Sequence, residues 1–385
     1  MVERKRIGLK FSYNENWIAG TYYILNIIHA LNTLNDNEKP IVVILTEKEE
    51  NFHIVKKETN YPYLAYFEFP SAAPKYGLLE RILNKGSRMI SGKNIIIKKP
   101  DQPDIQFLFP KQIRDEISES LKKIHWIPDF QEEHLPEYFS KEEITERKDF
   151  QKEMTATGDV VVLSSEDAKS DFLRLYPEAH AETFVLPFAV SHPDFSDQNI
   201  EELRSKYELP QLYFFVPNQF WAHKNHMLVL KAVRILKERN VDIRIAMTGK
   251  QNDYRNADNF KNIKSYVKEH DLDNYLRFLG FISREEQLCL MKHARAIIQP
   301  SLFEGWSTVV EDAKLLNVFL ILSQLNVHKE QIQENAHFFD PYNENELASV
   351  LEKYANTKPQ LTNKSYKDNV IQFGKRFMTL VHKVT

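Results

Sequence analysis

The sequence predicts an α/β protein of two doubly wound domains facing across a cleft. Three observations predict it. Short apolar runs alternate with helix-period segments along the whole chain, the pattern of parallel sheets covered by helices on both faces. The alternation starts twice, at RIGLKF (6–11) and again at LYFFVP (212–217), and the stretch between the two series, SHPDFSDQNIEELRSKYELP (191–210), carries prolines and charges but no strand-like run. A length of 385 residues suits two domains better than one or three at ~150 residues each. An N-terminal domain is expected over 1–195 and a C-terminal one over 196–365. A last helix, about 366–385, is expected to pack back on the first domain.

In the first series the strand-like runs after RIGLKF are IVVIL (41–45), DIQFLFP (104–110), KIHWI (123–127), DVVVL (159–163) and ETFVLPF (182–188). In the second, LYFFVP is followed by DIRIAMTG (242–249), YLRFLG (275–280), RAIIQP (295–300) and VFLILS (318–323). TYYILNIIHALNTL, EDAKSDFLRLY and REEQLCLMKHA read as amphipathic helices between them. In NHMLVLKAVRILKERN, Met227, Leu230, Val233 and Ile235/Leu236 recur at helical spacing. The stretch 191–210 reads as a linker with an entry helix.

Composition removes several classes. Hydrophobic residues make up 42 % of the chain, too many for a disordered protein. A net charge of −3 argues against a nucleic-acid binder. The single cysteine, Cys289, allows neither an internal disulfide nor a cysteine-based metal site and reads as a core thiol. No apolar run reaches the roughly 18 residues of a membrane span. MVERKRIGLKF has charges with no apolar run behind them, unlike a secretory signal, so a cytoplasmic protein is expected. With 10 glycines in all, the chain has no G-x-G-x-x-G after a strand and no P-loop, as a dinucleotide-binding dehydrogenase or a P-loop enzyme would need.

One segment stands apart. KYGLLERILNKGSRMISGKNIIIKK (75–99) mixes apolar residues with seven Lys or Arg against one Glu. It is read either as a solvated helix face with a loop, or as a surface for anionic acceptors or lipid headgroups. Peripheral contact with the inner face of a membrane is therefore an expectation.

Two strand-to-helix turns carry the candidate chemistry. In VPNQFWAHKNH (216–226) a strand ends and a helix is expected to begin near His223, a geometry that binds anions on free N–H groups. Lys224 is unfavourable against the dipole there, which points to a role in binding. In RAIIQPSLFEGWSTVVEDAK (295–314), Ser307 or Thr308 suits the N-cap and Glu311 the first turn. That leaves Glu304, Gly305 and Trp306 in the preceding loop unexplained. Two carboxylates flanking a helix N-terminus suit a ligand with a diphosphate in the middle and hydroxyls at each end, the layout of a nucleotide-sugar.

The segment FLGFISREEQLCLMKHARAIIQPSLFEGWSTVVEDAK resembles the signature region of the retaining GT-B glycosyltransferases of family 4 (group 1): a strand ending in Gly, a helix, then Pro-Ser-x-x-Glu-Gly and a second Glu. The likeness extends to VPNQFWAHKNH, IAMTGK, NWIAGTYYILNIIHAL and the C-terminal helix. It implies that Glu304 lies by the donor-sugar hydroxyls, Glu311 by the ribose hydroxyls and Lys224 by the diphosphate. Phe281 and Ile282 would border the base. Ala19 and Gly20 would let the first loop approach the phosphate. IHWIPDFQEEHLP (124–136) would form the opposite wall, with Asp129 and His134 facing donor or acceptor. Three departures stand out: the spacing is Glu-x6-Glu where the family usually has Glu-x7-Glu, Asn218 stands where an Arg is usual, and the N-domain loop orders its acids and histidine differently.

The resemblance implies a hexosyltransferase-type enzyme that needs no metal or other cofactor. It would move sugar from a nucleotide-sugar donor to a glycan or lipid-linked acceptor, in a setting such as cell-envelope polysaccharide synthesis. The rivals are a nucleotide-sugar epimerase on the same scaffold and a non-catalytic binding subunit. The metal-binding string Asp-x-Asp occurs at 271–273, where it reads as a turn.

Overall fold

The computed structural model describes residues 3–13, 18–70, 77–91, 93–96, 101–111, 117 and 121–385. Its strands form two parallel systems, one per half of the chain.

The first system has two sheets. β1 (Arg6–Lys10), β2 (Ile41–Thr46), β3 (Leu64–Glu68) and β4 (Phe107–Phe109) lie in the order β3-β2-β1-β4. β5 (Ile124–Ile127), β6 (Val160–Leu163) and β7 (Glu182–Val185) follow in the order β5-β6-β7. The Lys111 amide donates to the Ile124 carbonyl at 2.9 Å and joins them. Between the strands run α1 (Ile18–Asn32), α2 (Glu49–Thr59), α3 (Leu78–Ser91), α4 (Gln131–His134), α5 (Lys141–Thr157) and α6 (Glu166–Leu175).

The second system follows the entry helix α7 (Ile200–Lys206). It is a six-stranded sheet of β8 (Phe214–Val216), β9 (Ile245–Met247), β10 (Leu276–Phe278), β11 (Ile297–Gln299), β12 (Leu320–Ser323) and β13 (Ala336–Phe339). Its order is β10-β9-β8-β11-β12-β13, so winding reverses between β8 and β11. The first system reverses likewise between β1 and β4. In such sheets a crevice opens beyond the carboxyl ends of the strands where the order reverses. The helices here are α8 (His226–Glu238), α9 (Asn259–Glu269), α10 (Arg284–His293), α11 (Thr308–Leu316), α12 (Asn326–Gln331), α13 (Glu344–Asn356) and α14 (Lys367–Val384).

Successive strand residues point to opposite faces, and both faces are buried. Phe214, Val216, Ile245 and Met247 enter one core with α8, while Tyr213, Phe215, Ala246 and Ile297 enter a second with α10 and α11. Continuous apolar runs are the sequence consequence.

Sequence periodicity did not single out β3 or β13. Both are edge strands and are mostly half-buried, and LAYFE and AHFF are short runs that carry no β-branched residue. The run expected over 104–110 contracts to Phe107–Phe109.

α14 leaves the second system and packs on α1 of the first. Phe373, Phe377, Leu380 and Val381 join Ile27, Ile28 and Leu31 in one core. Contact is closest at Gly374, where an added Cβ would stand 2.5 Å from the Ala30 carbonyl oxygen. Gly374→Ala is expected to lower stability by about 1–3 kcal/mol, the usual cost of overpacking. Gly86→Ala has open space around it and should leave stability unchanged or raise it by up to about 1 kcal/mol. Urea unfolding of the two variants checks this; equal stability in both would mean that α14 does not lie on α1.

Candidate active site

The crevice between β8 and β11 is built from two loops. The first leaves Val216, passes Asn218, makes a 3-10 turn over Ala222–Lys224 and reaches α8 at His226. Lys224 therefore stands before the helix rather than within its first turn, which corrects the expected start near His223. The hinge is Asn225, at φ 56°, whose side chain donates to the Pro300 and Pro341 carbonyls at 3.1 and 2.9 Å.

The second loop leaves Gln299 and ends at Ser307, the N-cap of α11, whose hydroxyl accepts from the Val310 amide. The carboxylate of Glu304 turns back into this loop. Its Oε1 accepts from Lys224 Nζ at 2.6 Å, Ser301 Oγ at 2.6 Å and Gln299 Nε2 at 2.7 Å. Burial by itself would raise the Glu304 pKa, but the Lys224 charge and the hydrogen bonds overcome that and hold it down to about 2. Gln299, fully buried, also accepts from Asn218 Nδ2 at 2.7 Å. The Asn218 amide is thus engaged with Gln299. His223 and His226 flank the turn, and burial lowers both to about 3, so both are neutral near pH 7.

The first system closes over this crevice. An added Cβ at Gly305 would lie 2.7 Å from both Asp129 Cβ and the Pro128 carbonyl oxygen; only glycine allows this approach of the two loops. Asp129, raised in pKa by desolvation, begins α4 by accepting from the Gln131 amide at 3.1 Å. Trp306 Nε1 donates to the Phe188 carbonyl at 3.0 Å. His134 pairs with Asp171 at 2.5 Å, and its ring centroid lies 5.1 Å from that of Phe303. Asp129 and His134 thus meet neighbouring residues of one C-terminal loop.

Glu304, Lys224, Asn218, Gly305, Trp306, Ser307 and Asp129 gather here, and Thr308 follows as the first residue of α11. The Ser307 amide is taken by Gln331 Oε1 at 3.0 Å, while those opening the helix have no intrahelical acceptor. Other expected residues lie farther out. Phe281 and Ile282 follow β10, two strands from β8; Phe281 is 66 % exposed, with Lys250 Nζ 5.3 Å from its ring centroid. Gly20 is buried near the start of α1; residues 14–17 and the side chain of Ala19 lie outside the described residues.

Glu311 is differently engaged. Its carboxylate accepts from Tyr366 Oη at 2.5 Å, Lys314 Nζ at 2.8 Å and Gln331 Nε2 at 3.1 Å. The next residue, Asp312, is equally buried. Its Oδ1 takes Arg284 Nη2 at 2.5 Å and is 2.9 Å from His192 Nε2, whereas its Oδ2 is buried with no partner among the described residues. Burial would raise the Asp312 pKa, but Arg284 and His192 together overcome that and lower it. Sequence reasoning passed over Asp312, Gln299, Ser301 and Phe303. Asp312 had a signal: seven residues separate it from Glu304, the usual spacing with Asp in second place. Gln299 had a weaker one, as the polar end of an apolar strand. Among the described residues no group of three or more His, Cys, Asp or Glu could hold a metal ion. Asp271 lies in a turn at φ 52° and pairs with Lys237 at 3.0 Å.

Residues 199–372 match the family model described as glycosyl transferases group 1. No curated protein matches the chain in sequence. Its fold is similar to that of Anabaena Alr3699/HepE in complex with UDP and glucose (TM-score 0.62, 14 % identity, 99 % of this chain and 100 % of that one). It is also similar to sucrose-phosphate synthase from Thermosynechococcus elongatus (0.59, 14 %, 99 % and 100 %) and to a glycosyltransferase from Rickettsia africae (0.61, 14 %, 99 % and 94 %). The two facing Rossmann-like domains are the GT-B fold.

The Lys224–Glu304 pair reverses one expectation. A lysine unfavourable at a helix start could be removed at no cost to folding; one that neutralises a buried carboxylate cannot. Lys224→Ala should lose stability toward the low end of the about 3–5 kcal/mol for breaking a buried pair, since both side chains keep some exposure (17 % and 9 %). The linkage has a definite sign. Because the Glu304 pKa is depressed in the folded state, its contribution is present above the ordinary value of 4.5 and is lost as pH falls toward about 2. Unfolding free energies across that window should fall more steeply for the native protein than for Glu304→Gln. Parallel profiles would show that Glu304 carries no such shift.

Proposed function

We propose that the protein is a retaining glycosyltransferase of family 4 that uses a nucleotide-sugar donor and no metal. The observation that carries this reading is the Lys224–Glu304 pair at the β8/β11 reversal, with Asp129 brought against Gly305 from the other domain. A cation and first-turn amides beside a switch-point crevice suit a diphosphate. The match of residues 199–372 and the fold shared with a protein solved with UDP and glucose support the same assignment.

In the proposed mechanism the donor diphosphate enters against Lys224 and the start of α11, and Glu304 exchanges part of its contact with Lys224 for the sugar hydroxyls. The bond from the anomeric carbon to the leaving phosphate oxygen breaks as the acceptor oxygen bonds to that carbon from the same face. The leaving diphosphate takes the acceptor proton, and the developing charge is stabilised by Lys224 and the amides. Asp129 and His134 face the reacting groups from the N-terminal side. The closed loops exclude water, whose attack is the competing reaction. Phe281 borders the base, and Gly20 lets the first loop approach the phosphate. The acceptor is a glycan or lipid-linked acceptor of cell-envelope polysaccharide synthesis, reached from the cytoplasm.

The ribose contact goes to Asp312 rather than Glu311: Asp312 keeps an oxygen without a partner among the described residues, whereas Glu311 is engaged by Tyr366, Lys314 and Gln331. In calorimetric titration Asp312→Asn should weaken the nucleoside diphosphate about tenfold, as expected for losing roughly 1.5 kcal/mol in a hydrogen bond to a charged group, and Glu311→Gln should leave it nearly unchanged. The reverse result would return the role to Glu311.

A thermal-shift panel of UDP, GDP, ADP and CDP tests the class itself. A ligand at a hundred times its Kd stabilises by about 2.7 kcal/mol, so the cognate diphosphate should raise Tm by several degrees. Glu304→Gln should retain that shift while losing sugar transfer. A flat panel would remove the nucleotide-sugar reading.

A further inference from the structure

The crossover from β3 to β4 contains a helix that is amphipathic in the wrong sense for a soluble protein. In α3, at 100° per residue, Leu78, Leu79, Ile82, Leu83 and Met89 fall on one arc. Arg81, Lys85 and Arg88 fall on the arc beside it. Glu80, Asn84, Ser87 and Ser91 lie opposite the apolar residues. A surface helix ordinarily turns its apolar stripe to the core, and α3 does the reverse. Its buried residues lie in the middle of the polar stripe: Asn84 is 3 % and Ser87 9 % exposed, while Leu78, Leu79 and Met89 are 77, 75 and 80 % exposed, and Ile82 and Leu83 exceed half.

The polar stripe holds the helix to the chain that follows it. Asn84 donates to the Ile96 carbonyl at 2.8 Å and accepts from the Ile96 amide at 2.8 Å. Ser87 Oγ donates to the Lys93 carbonyl at 2.7 Å. Ile95, in the same returning segment, is 70 % exposed. The hydrogen bonds therefore fix which side of α3 faces outward, and that side is leucine-rich.

We infer that the exposed face of α3 seats the protein on an anionic lipid bilayer. With 14 residues the helix is roughly 21 Å long, and no helix among the described residues is long and apolar enough to cross a membrane. It suits a position in the interface plane, apolar arc among the acyl chains and cations at headgroup level. Charge selects the occupant. Three cations border the apolar arc, and the one acid of the helix, Glu80, lies away from it, where it accepts from the Gly77 amide at 2.7 Å. A second copy of this helix would set its own Lys85 and Arg88 against those of the first, whereas acidic headgroups complement them. Lys75, Lys98 and Lys99 lie outside the described residues. This inference is independent of the donor-site reading, since it needs neither nucleotide nor transfer.

The test is co-sedimentation of the full-length protein with vesicles of phosphatidylcholine, with and without 30 mol % phosphatidylglycerol, at low and high salt. The native protein should bind the anionic vesicles and release at high salt, with little binding to phosphatidylcholine alone. Each cation near such a surface is worth roughly fivefold, so Arg81→Gln/Lys85→Gln/Arg88→Gln should weaken binding on the order of a hundredfold. Leu79→Asp/Leu83→Asp should abolish it. These positions are exposed, so Tm and the nucleotide-induced shift should match the native protein. Absence of binding to anionic vesicles at low salt would overturn the inference. So would a native dimer that Leu79→Asp/Leu83→Asp converts to monomer, which would make a second copy the occupant.

Discussion

The site depends on a carboxylate that cannot be left alone. Glu304 sits where burial opposes its charge, and it stays ionised because Lys224, Ser301 and Gln299 converge on one of its oxygens. That convergence ties the loop after β8 to the loop after β11, the two edges of the switch-point crevice. Gln299 extends it by linking Asn218 to Ser307 through its amide, at 2.7 and 3.2 Å. A lysine placed against the dipole of a nearby helix is tolerable because its partner is a buried anion.

The same loop carries the contacts that close the molecule. Gly305 meets Asp129, Trp306 reaches Phe188, and the Phe303 ring lies tilted against His134. Farther out, the Arg255 guanidinium lies 4.1 Å from the Phe139 ring centroid, and the Glu330 carboxylate accepts from the Glu166 and Asp167 amides at the start of α6. An acceptor at that helix N-terminus satisfies amides with no intrahelical partner. α14 then returns to α1, so the chain crosses between the domains at the linker and again before its last helix.

Much of this was legible because parallel sheets covered on both faces write themselves as apolar runs, and because glycine, serine and glutamate in PSLFEGWS are hard to account for by packing. The edges were not legible: β3 and β13 are half-exposed, and LAYFE and AHFF are short runs without a β-branched residue. Nor was the role of Lys224, since its partner lies 80 residues away and sequence position shows only the local dipole. Glu311 and Asp312 are adjacent in the chain, yet one faces Tyr366 and the other Arg284, a distinction fixed by helix rotation. In α3 the sequence showed basic and apolar residues, but not that Asn84 and Ser87 would hold the apolar side outward.

The most direct measurement is a crystal structure with the nucleoside diphosphate that stabilises the protein best. A phosphate oxygen is expected within about 3 Å of Lys224 Nζ, as in a charge-assisted hydrogen bond, with the terminal phosphate at the start of α11 and Glu304 facing the space where the sugar would lie. Phosphates bound elsewhere, with the Lys224–Glu304 contact unchanged, would contradict this.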